Sequence, residues 1–274
     1  MITLLIIIVT TIFSIKGFTN HAFFESNVFE VEKVLLFRQY RRIFTSGFIH
    51  INWLHLIFNM LALYLFSSAV ENSLGPVRFL LIYVASLVGG NLLALLIHKN
   101  HGSYSALGAS GAVNGIIFAT IALFPYMRIG LFLLPAIPAW FFGLIYVGFS
   151  MYGIRSKKEN VGHEAHLGGA LIGMLLAVVM VPGALLTNYL PILAIMVPSI
   201  IFIYLIIYQP HLLMVDNIFY KRSRHYTVDD RYNMGKALEQ QEIDRILDKI
   251  HKKGMHSLTK EERQKLDRYS RIIK

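Results

Sequence analysis

The residues best suited to catalysis or binding in this sequence are the polar side chains that interrupt long apolar runs. Such side chains are costly in a hydrocarbon environment and are usually functional where they occur. The set comprises His55, Asn59, Asn91, Ser110, Asn114, His163, Glu164 and His166. The sequence contains no cysteine, which excludes disulfides, thiol catalysis, iron–sulfur clusters and Cys-ligated zinc.

Ser110 is the candidate nucleophile. It opens an apolar run and lies between Gly108 and Gly111, which allow another backbone to come close. The first turn of a helix has free backbone N–H groups, and these groups can stabilise an oxyanion. The residues around Ser110 do not form the G-x-S-x-G elbow of the α/β-hydrolases. The alternative role is that of a small residue in a tight helix contact.

His166 is the candidate base. It stands at the head of a helical face that continues with Gly169, Ala170 and Gly173. The run that begins near Ser110 carries its own glycine face, so the two backbones are expected to approach closely. A hydroxyl and an imidazole would then meet at one end of the contact, as in a base-activated nucleophile.

His55 and Asn59 are four residues apart and therefore share one face of a helix. Both side chains can donate hydrogen bonds. They serve either as links between helices or as donors to a developing oxyanion.

A metal site is the competing use of the histidines near residue 166. His163, Glu164 and His166 do not form the H-E-x-x-H pattern, and a catalytic zinc site needs a third protein ligand. Since no further ligand recurs at suitable spacing within the apolar runs, we expect no metal.

These residues must be positioned by membrane helices. The chain of 274 residues is 55% hydrophobic and only 15% charged, and its mean hydropathy is +0.54. About 20 apolar residues cross a bilayer as a helix. The sequence predicts seven such spans, at residues 2–18, 53–70, 77–98, 108–124, 129–151, 165–186 and 189–208. The first run lacks the features of a cleaved signal peptide and is expected to be retained as a span.

Two predicted spans depart from a simple lipid-facing helix. The fourth is short and starts at Gly108 directly after a polar stretch, so its first turn is expected below the membrane surface. The fifth contains Pro135 and Pro138, which predict a bend and a mobile element.

The predicted domains are a transmembrane domain over 1–208 and a basic, mostly helical soluble tail over 209–274. A helical hairpin is expected in the tail from a stripe of apolar residues, a stop signal and a capping box. The residues concerned are Ile243, Ile246, Leu247, Ile250, Gly254, Thr259, Glu262, Leu266 and Tyr269. The tail is interpreted as a solvated appendage, with docking of a partner or of nucleic acid as the alternatives. For the whole chain no nucleic-acid partner is expected, because the net charge of +10 is divided evenly between the two regions.

Several short motifs occur together in one order along the chain. They are Arg42-Ile-Phe-Thr45, His50-Ile-Asn-Trp-Leu-His55-Leu-Ile-Phe-Asn59, Glu71-x-x-Leu-Gly75, Gly108-Ala-Ser110-Gly111, and Ala165-His166-Leu-Gly-Gly169 with Gly173. Over residues 42–173 the sequence therefore resembles the rhomboid family of intramembrane serine proteases.

The resemblance implies a Ser–His dyad, with Ser110 as nucleophile and His166 as general base and acid. It implies an oxyanion hole made by His55, Asn59 and the backbone N–H of Ser110. The implied fold is a six-helix bundle in the membrane, with the last span as a seventh helix. The family needs no cofactor and cleaves transmembrane helices of other membrane proteins, with substrate entry past the second and fifth helices. The expected location is a bacterial cell membrane, as a multi-pass protein, and no oligomeric state is predicted.

The sequence departs from the family pattern at two places. Asn114 stands where an aromatic residue usually packs under the histidine, and it is expected to bond the imidazole instead. Arg41-Arg42 replaces the usual Trp-Arg pair, so only the second residue of that pair is kept.

The distribution of basic residues raises a question of orientation. With seven spans, most lysines and arginines fall on the side of Ser110, which predicts a cytoplasmic active site. The bacterial members of the family usually open outward. Six spans, with 189–208 re-entrant, would bring the tail to the cytoplasm instead.

Two further functions compete with the protease. A catalytically inactive relative would bind membrane-protein helices, but such a protein is expected to lack one member of the dyad, and both Ser110 and His166 are present. A transporter is expected to carry acidic residues near mid-membrane. No Asp or Glu falls in the middle of a predicted span.

Overall fold

The computed structural model describes residues 2–130, 136–156, 162–213, 246–251, 254–259, 262–263 and 266. Within these ranges the regular secondary structure is helical apart from two short strand pairs. The helices are α1 (Ile2–Thr19), α2 (His21–Asn27), α3 (Val31–Leu35), α4 (Arg42–Thr45), α5 (Trp53–Leu74), α6 (Pro76–Ile97), α7 (Ser110–Leu123), α8 (Ala139–Ser156), α9 (His163–Met180), α10 (Pro182–Thr187) and α11 (Tyr189–Tyr208). Short 3₁₀ turns occupy Ser46–Phe48, Pro210–Leu213 and Met255–Ser257. The strands β1 (Phe29–Glu30) and β2 (Ser105–Ala106) pair antiparallel, as do β3 (Arg128–Ile129) and β4 (Ile137–Pro138).

Five of the described helices are long and apolar enough to cross a membrane, namely α1, α5, α6, α9 and α11. This confirms an all-α polytopic membrane protein. Of the other two predicted spans, the fourth corresponds to α7, which has 14 residues and is about 21 Å long at 1.5 Å per residue. The fifth corresponds to α8, whose apolar residues alternate with glycines and tyrosines up to Arg155. Helix α11 has 20 residues, so its length does not favour the re-entrant alternative.

Helix α7 forms the centre of the membrane unit. Its residues from Gly111 to Ala122 are all buried, which agrees with a short helix surrounded by protein. A Cβ atom added to Gly169 of α9 would lie 2.1 Å from the carbonyl oxygen of Gly111, and one on Gly173 would lie 2.0 Å from that of Gly115. The two glycine faces predicted from the sequence therefore touch, backbone against backbone.

Helix α6 approaches α9 in the same way on another side. A Cβ atom on Gly90 would lie 2.3 Å from the carbonyl oxygen of Ala165. Close contacts on two sides place the start of α9 beside the start of α7. The sequence pattern had not indicated Gly90 as part of this packing.

The long connection between α1 and α5 is ordered around Arg42. Its Nη1 donates to the carbonyl oxygens of Glu25 and Val28, both at 2.6 Å, and its Nε donates to Oε1 of Gln39 at 2.6 Å. These charge-assisted bonds offset the burial of the guanidinium, which lowers the pKa of Arg42. The connection between α1 and α5 is therefore a structured loop.

The prediction of a proline bend within the fifth span is wrong for Pro138. This residue ends β4, and α8 begins at the next residue, Ala139. Proline has no backbone N–H to donate, so it fits the end of a strand better than the interior of a helix. Pro135 lies outside the described residues.

The chain divides into two compact units, Met1–Arg222 and Ser223–Lys274. In the second unit Gly254 has a φ of +78°, consistent with the predicted helix stop. The predicted capping box is present: Thr259 Oγ1 accepts from the Glu262 N–H at 3.2 Å, and Glu262 Oε2 accepts from the Thr259 N–H at 2.8 Å. Ile243 and Tyr269 of the predicted hairpin lie outside the described residues.

Candidate active site

The structure brings Ser110 and His166 together. Oγ of Ser110, the first residue of α7, lies 2.5 Å from Nε2 of His166, in the first turn of α9. Both residues are partly exposed, so the pair is open to a reactant. A serine hydroxyl within hydrogen-bond reach of an imidazole is the geometry that base activation requires.

The turn that leads into Ser110 requires glycine at Gly108. This residue has a φ of +108°, and a Cβ atom on it would lie 2.7 Å from Cε1 of His55. The backbone N–H of Gly108 donates to the carbonyl oxygen of Ser46 at 2.9 Å. The bond to Ser46 therefore fixes this turn on one side, and the ring of His55 packs against its other side.

The predicted oxyanion donors lie on α5 and at the start of α7. The side chain of Asn52 caps α5 by accepting from the His55 N–H at 2.8 Å. Asn59 is buried, and its Nδ2 donates to the carbonyl oxygen of His55 at 2.9 Å. An amide nitrogen carries two N–H groups, so this bond leaves one for another acceptor. The N–H of Ser110 has no acceptor within its own helix because it belongs to the first turn.

Asn114 does not bond the imidazole as expected. Its Nδ2 donates to the backbone carbonyl oxygen of Ser110, four residues earlier in α7, at 2.8 Å. Short amide side chains often bond back to their own helix in this way. The neighbouring aromatic ring is instead that of His163, edge-on with its centroid 6.1 Å from that of His166.

His50 also belongs to this region, although it is not among the candidate residues predicted from the sequence. It is fully buried, and its ring meets the ring of His55 edge-on at 4.8 Å. Its Nε2 accepts from the backbone N–H of Ala109 at 3.3 Å, and its Nδ1 lies 2.9 Å from Oγ of Ser14. Burial, and secondarily the neighbouring His55, lower the pKa of His50 to about 3. His50 lies outside the predicted spans, so only its place in the run from His50 to Asn59 could have drawn attention to it.

A cleft runs beside Ser110 and His166 between α6 and α9. The residues that line it are Leu87, Asn91, Ala106, Leu107, Gly108, Ser110, Gly111, Gly162, Ala165 and His166. Of these, Asn91 donates to the carbonyl oxygen of Ile43 at 2.8 Å and to Oγ of Ser46 at 3.1 Å. This candidate polar residue therefore joins α6 to the first connection.

Comparison with known proteins decides the family. A family model described as Rhomboid domain matches residues 38–183, which is more than half of the chain and includes Ser110, His166, His55 and Asn59. The chain belongs to the rhomboid family. A second model, a family of unknown function (DUF6576), matches residues 226–272 in the tail of this rhomboid protein.

Several curated relatives are similar to part of this rhomboid. RHOMBOID-like protein 12, mitochondrial, of Arabidopsis thaliana is 33% identical over 143 residues, which cover 47% of this chain and 43% of the relative. Rhomboid protein 1, mitochondrial, of Saccharomyces cerevisiae is 35% identical over 135 residues, with coverage of 47% and 39%. Presenilin-associated rhomboid-like protein, mitochondrial, of Homo sapiens is 30% identical over 132 residues, with coverage of 47% and 35%. The match thus spans less than half the length of these relatives.

The remaining candidate residues of this rhomboid, His163 and Glu164, have separate surroundings. The ring of His163 packs against Gly153 of α8 and meets Phe149 edge-on at 5.4 Å. Glu164 turns toward the end of α6, where its Oε1 lies 3.0 Å from Nε2 of His98. Among the residues that the structure describes, no three His, Asp or Glu side chains form a cluster that could hold a metal ion.

Proposed function

We propose that this rhomboid is an intramembrane serine endopeptidase that cleaves transmembrane helices of other membrane proteins. The observation that carries the proposal is the 2.5 Å approach of Ser110 Oγ to His166 Nε2 at the meeting point of two helix ends. Membership of the rhomboid family and the five apolar helices support the placement of this site in a membrane.

In the first step, Ser110 Oγ attacks the carbonyl carbon of the scissile peptide bond while its proton passes to Nε2 of His166. The negative charge that develops on the carbonyl oxygen is stabilised by the N–H of Ser110 and by side-chain donors from Asn59 and His55. The protonated His166 then gives its proton to the leaving amine. The peptide C–N bond breaks and an acyl-serine remains.

In the second step, His166 takes a proton from water, and the resulting hydroxide attacks the acyl-serine. The C–O bond to Ser110 breaks, and Oγ recovers its proton from His166. The cleft beside the dyad is lined by both reacting side chains and therefore offers this water a place next to them.

An inactive relative that only binds helices is the alternative. It would need neither the hydroxyl–imidazole contact nor the turn at Gly108 that exposes Ser110. Both features are present, which favours the protease.

The test is labelling of the purified full chain by a fluorophosphonate probe, together with cleavage of a single-span substrate in liposomes. Ser110→Ala and His166→Ala are expected to lose both labelling and cleavage. The matched control is Ser67→Ala, which alters a serine of α5 whose Oγ donates within its own helix, to the carbonyl oxygen of Tyr64. Equal cleavage by wild type and Ser110→Ala would overturn the proposal. Absence of labelling and of cleavage in folded wild type would favour the helix-binding alternative.

A further inference from the structure

A buried polar cluster lies on the side of α9 away from Ser110. Oε1 of Glu164 lies 3.0 Å from Nε2 of His98, and Oε2 accepts from the hydroxyl of Tyr104 at 3.3 Å. The side chains of Glu164 and His98 are only 7% and 8% exposed. Each carboxylate oxygen thus has a partner in a place where an unpaired charge would be costly.

The rings of His98 and Tyr104 stack on each other, with centroids 3.6 Å apart and planes 11° from parallel. Burial, and then the charge of Glu164, raise the pKa of Tyr104 well above its ordinary value. The hydroxyl of Tyr104 therefore keeps its proton and remains a donor to the carboxylate.

Glu164 and His166 occupy different faces of the first turn of α9. Two residues along an α-helix correspond to a rotation of about 200°, so one side chain meets α6 while the other meets α7. The residue that precedes this helix is Gly162, which has no side chain that could cap it. The carboxylate of Glu164 joins this buried first turn to His98 at the end of α6.

The same carboxylate also holds the segment that leads to the nucleophile. Tyr104 directly precedes β2, and the chain continues through Gly108 to Ser110. The carbonyl oxygen of Tyr104 accepts from the backbone N–H of Val31 at 3.1 Å, which ties this segment to the first connection as well.

We infer that Glu164, through His98 and Tyr104, is a positioning residue that sets the distance between Ser110 and His166. The cluster bonds to the segment before Ser110 and to the first turn that carries His166. Both contacts lie on the side away from the Ser110–His166 pair. This inference rests on the proposed function, because it concerns the rate at which Ser110 reacts.

The test compares Glu164→Ala, Glu164→Gln and Tyr104→Phe in the full chain. The readouts are the rate of fluorophosphonate labelling and the values of kcat and KM for a single-span substrate, each scaled to the folded fraction. Glu164→Ala is expected to lower the labelling rate and kcat by about 10- to 100-fold, because small displacements of reacting groups are costly. KM is expected to stay near the wild-type value, since Glu164 faces away from the dyad. Glu164→Gln keeps an acceptor for Tyr104 and is expected to recover part of the rate.

The matched control is Glu71→Gln. Glu71 is also a carboxylate that joins two helices, since it accepts from the Ile2 N–H at 2.8 Å and from Thr3 Oγ1 at 2.6 Å. Its replacement is expected to lower the melting temperature while the folded fraction keeps the wild-type labelling rate. An equal loss of kcat in Glu71→Gln and Glu164→Gln would show general destabilisation and overturn the inference.

The remaining outcomes separate this inference from the proposed function. Wild-type labelling by Glu164→Ala, with none by Ser110→Ala, would overturn the positioning role and leave the protease standing. No labelling or cleavage by wild type would overturn both. If Glu164→Ala does not fold, Tyr104→Phe decides the matter: the loss of one hydroxyl is expected to lower kcat by about fivefold at unchanged KM, and a wild-type kcat would overturn the inference.

Discussion

The imidazole of His50 accepts a hydrogen bond from the backbone N–H of Ala109, the residue directly before the proposed nucleophile, at 3.3 Å. Because Nε2 is the acceptor, Nδ1 must carry the proton, and it donates to Oγ of Ser14 at 2.9 Å. The hydroxyl of Ser14 then donates to the carbonyl oxygen of Phe48 at 3.1 Å. This chain of bonds links α1 to the turn that presents Ser110, and it requires a neutral His50.

The neutral state of His50 predicts a pH dependence of stability. Burial holds the pKa of His50 at about 3 in the folded chain, whereas an unfolded histidine has a pKa of about 6.5. Between these pH values the unfolded state therefore binds more protons than the folded state. The stabilisation that comes from His50 is fully present above about pH 6.5 and is lost as the pH falls toward 3. The melting temperature of wild type in detergent is expected to fall from pH 7 to pH 4.

The His50→Gln variant isolates this effect. Its free energy of unfolding is expected to be lower than that of wild type at pH 7, with a weaker decrease on acidification. The difference between the two slopes is expected to approach about 1.4 kcal/mol per pH unit. His21→Gln, at a side chain that is 87% exposed, is the control and should follow wild type. Parallel slopes for wild type and His50→Gln would contradict this assignment.

The contact between α7 and α9 predicts that Gly173→Ala is destabilising. The added methyl group would lie 2.0 Å from the carbonyl oxygen of Gly115, so the two backbones would have to separate. Overpacking of this kind typically costs about 1–3 kcal/mol. Thermal unfolding and the rate of Ser110 labelling are both expected to show the loss.

Gly148→Ala is the control for this substitution. A Cβ atom on Gly148 of α8 would meet nothing within 4 Å, and alanine is the better helix former. Its melting temperature is expected to match or exceed that of wild type. Equal destabilisation by both variants would argue against the backbone contact.

Asn59→Ala is expected to slow cleavage without abolishing it. The proposed role of Asn59 is one of several donors to the oxyanion, and loss of one such donor costs about 100- to 1,000-fold in kcat. The backbone N–H of Ser110 would remain. Measurement of kcat and KM should show the change in kcat.

The control for Asn59 is Asn188→Ala. Asn188 also bonds backbone within the membrane unit, since its Nδ2 donates to the carbonyl oxygen of Ala122 at 3.0 Å, but it lies outside the site. This variant is expected to lose stability and retain kcat. A wild-type kcat in Asn59→Ala would remove Asn59 from the oxyanion hole.

Arg42→Lys is expected to loosen the first connection. Lysine has a single ammonium group. It cannot replace the guanidinium nitrogens that bond Gln39, Glu25 and Val28 at the same time. Loss of charge-assisted bonds at a buried position is expected to cost about 1–3 kcal/mol. Limited proteolysis within residues 20–45 should become faster. Arg41→Lys, at an exposed neighbouring position, should leave the rate of proteolysis unchanged.

The membrane helices, the glycine faces and the identities of Ser110 and His166 could all be predicted from local sequence. Hydropathy and helical spacing depend on residues within about 20 positions of one another. They can therefore be recognised without a tertiary structure. The same holds for the capping box at Thr259 and Glu262, whose two bonds join residues three positions apart. The bend expected at Pro138 failed because helix and strand patterns are ambiguous in a short apolar segment.

Contacts between distant segments were decided only by the tertiary structure. The bonds of His50 to Ala109 and of His98 to Glu164 join residues 59 and 66 positions apart, and no local pattern marks them. Asn114 shows the same limit, since its amide could serve either the imidazole or its own helix, and the structure places it on the carbonyl oxygen of Ser110. Residue type and spacing determined which groups this protein has for chemistry. The close packing of α6, α7 and α9 determined which of those groups meet, because side-chain partners depend on distances that only the folded backbones set.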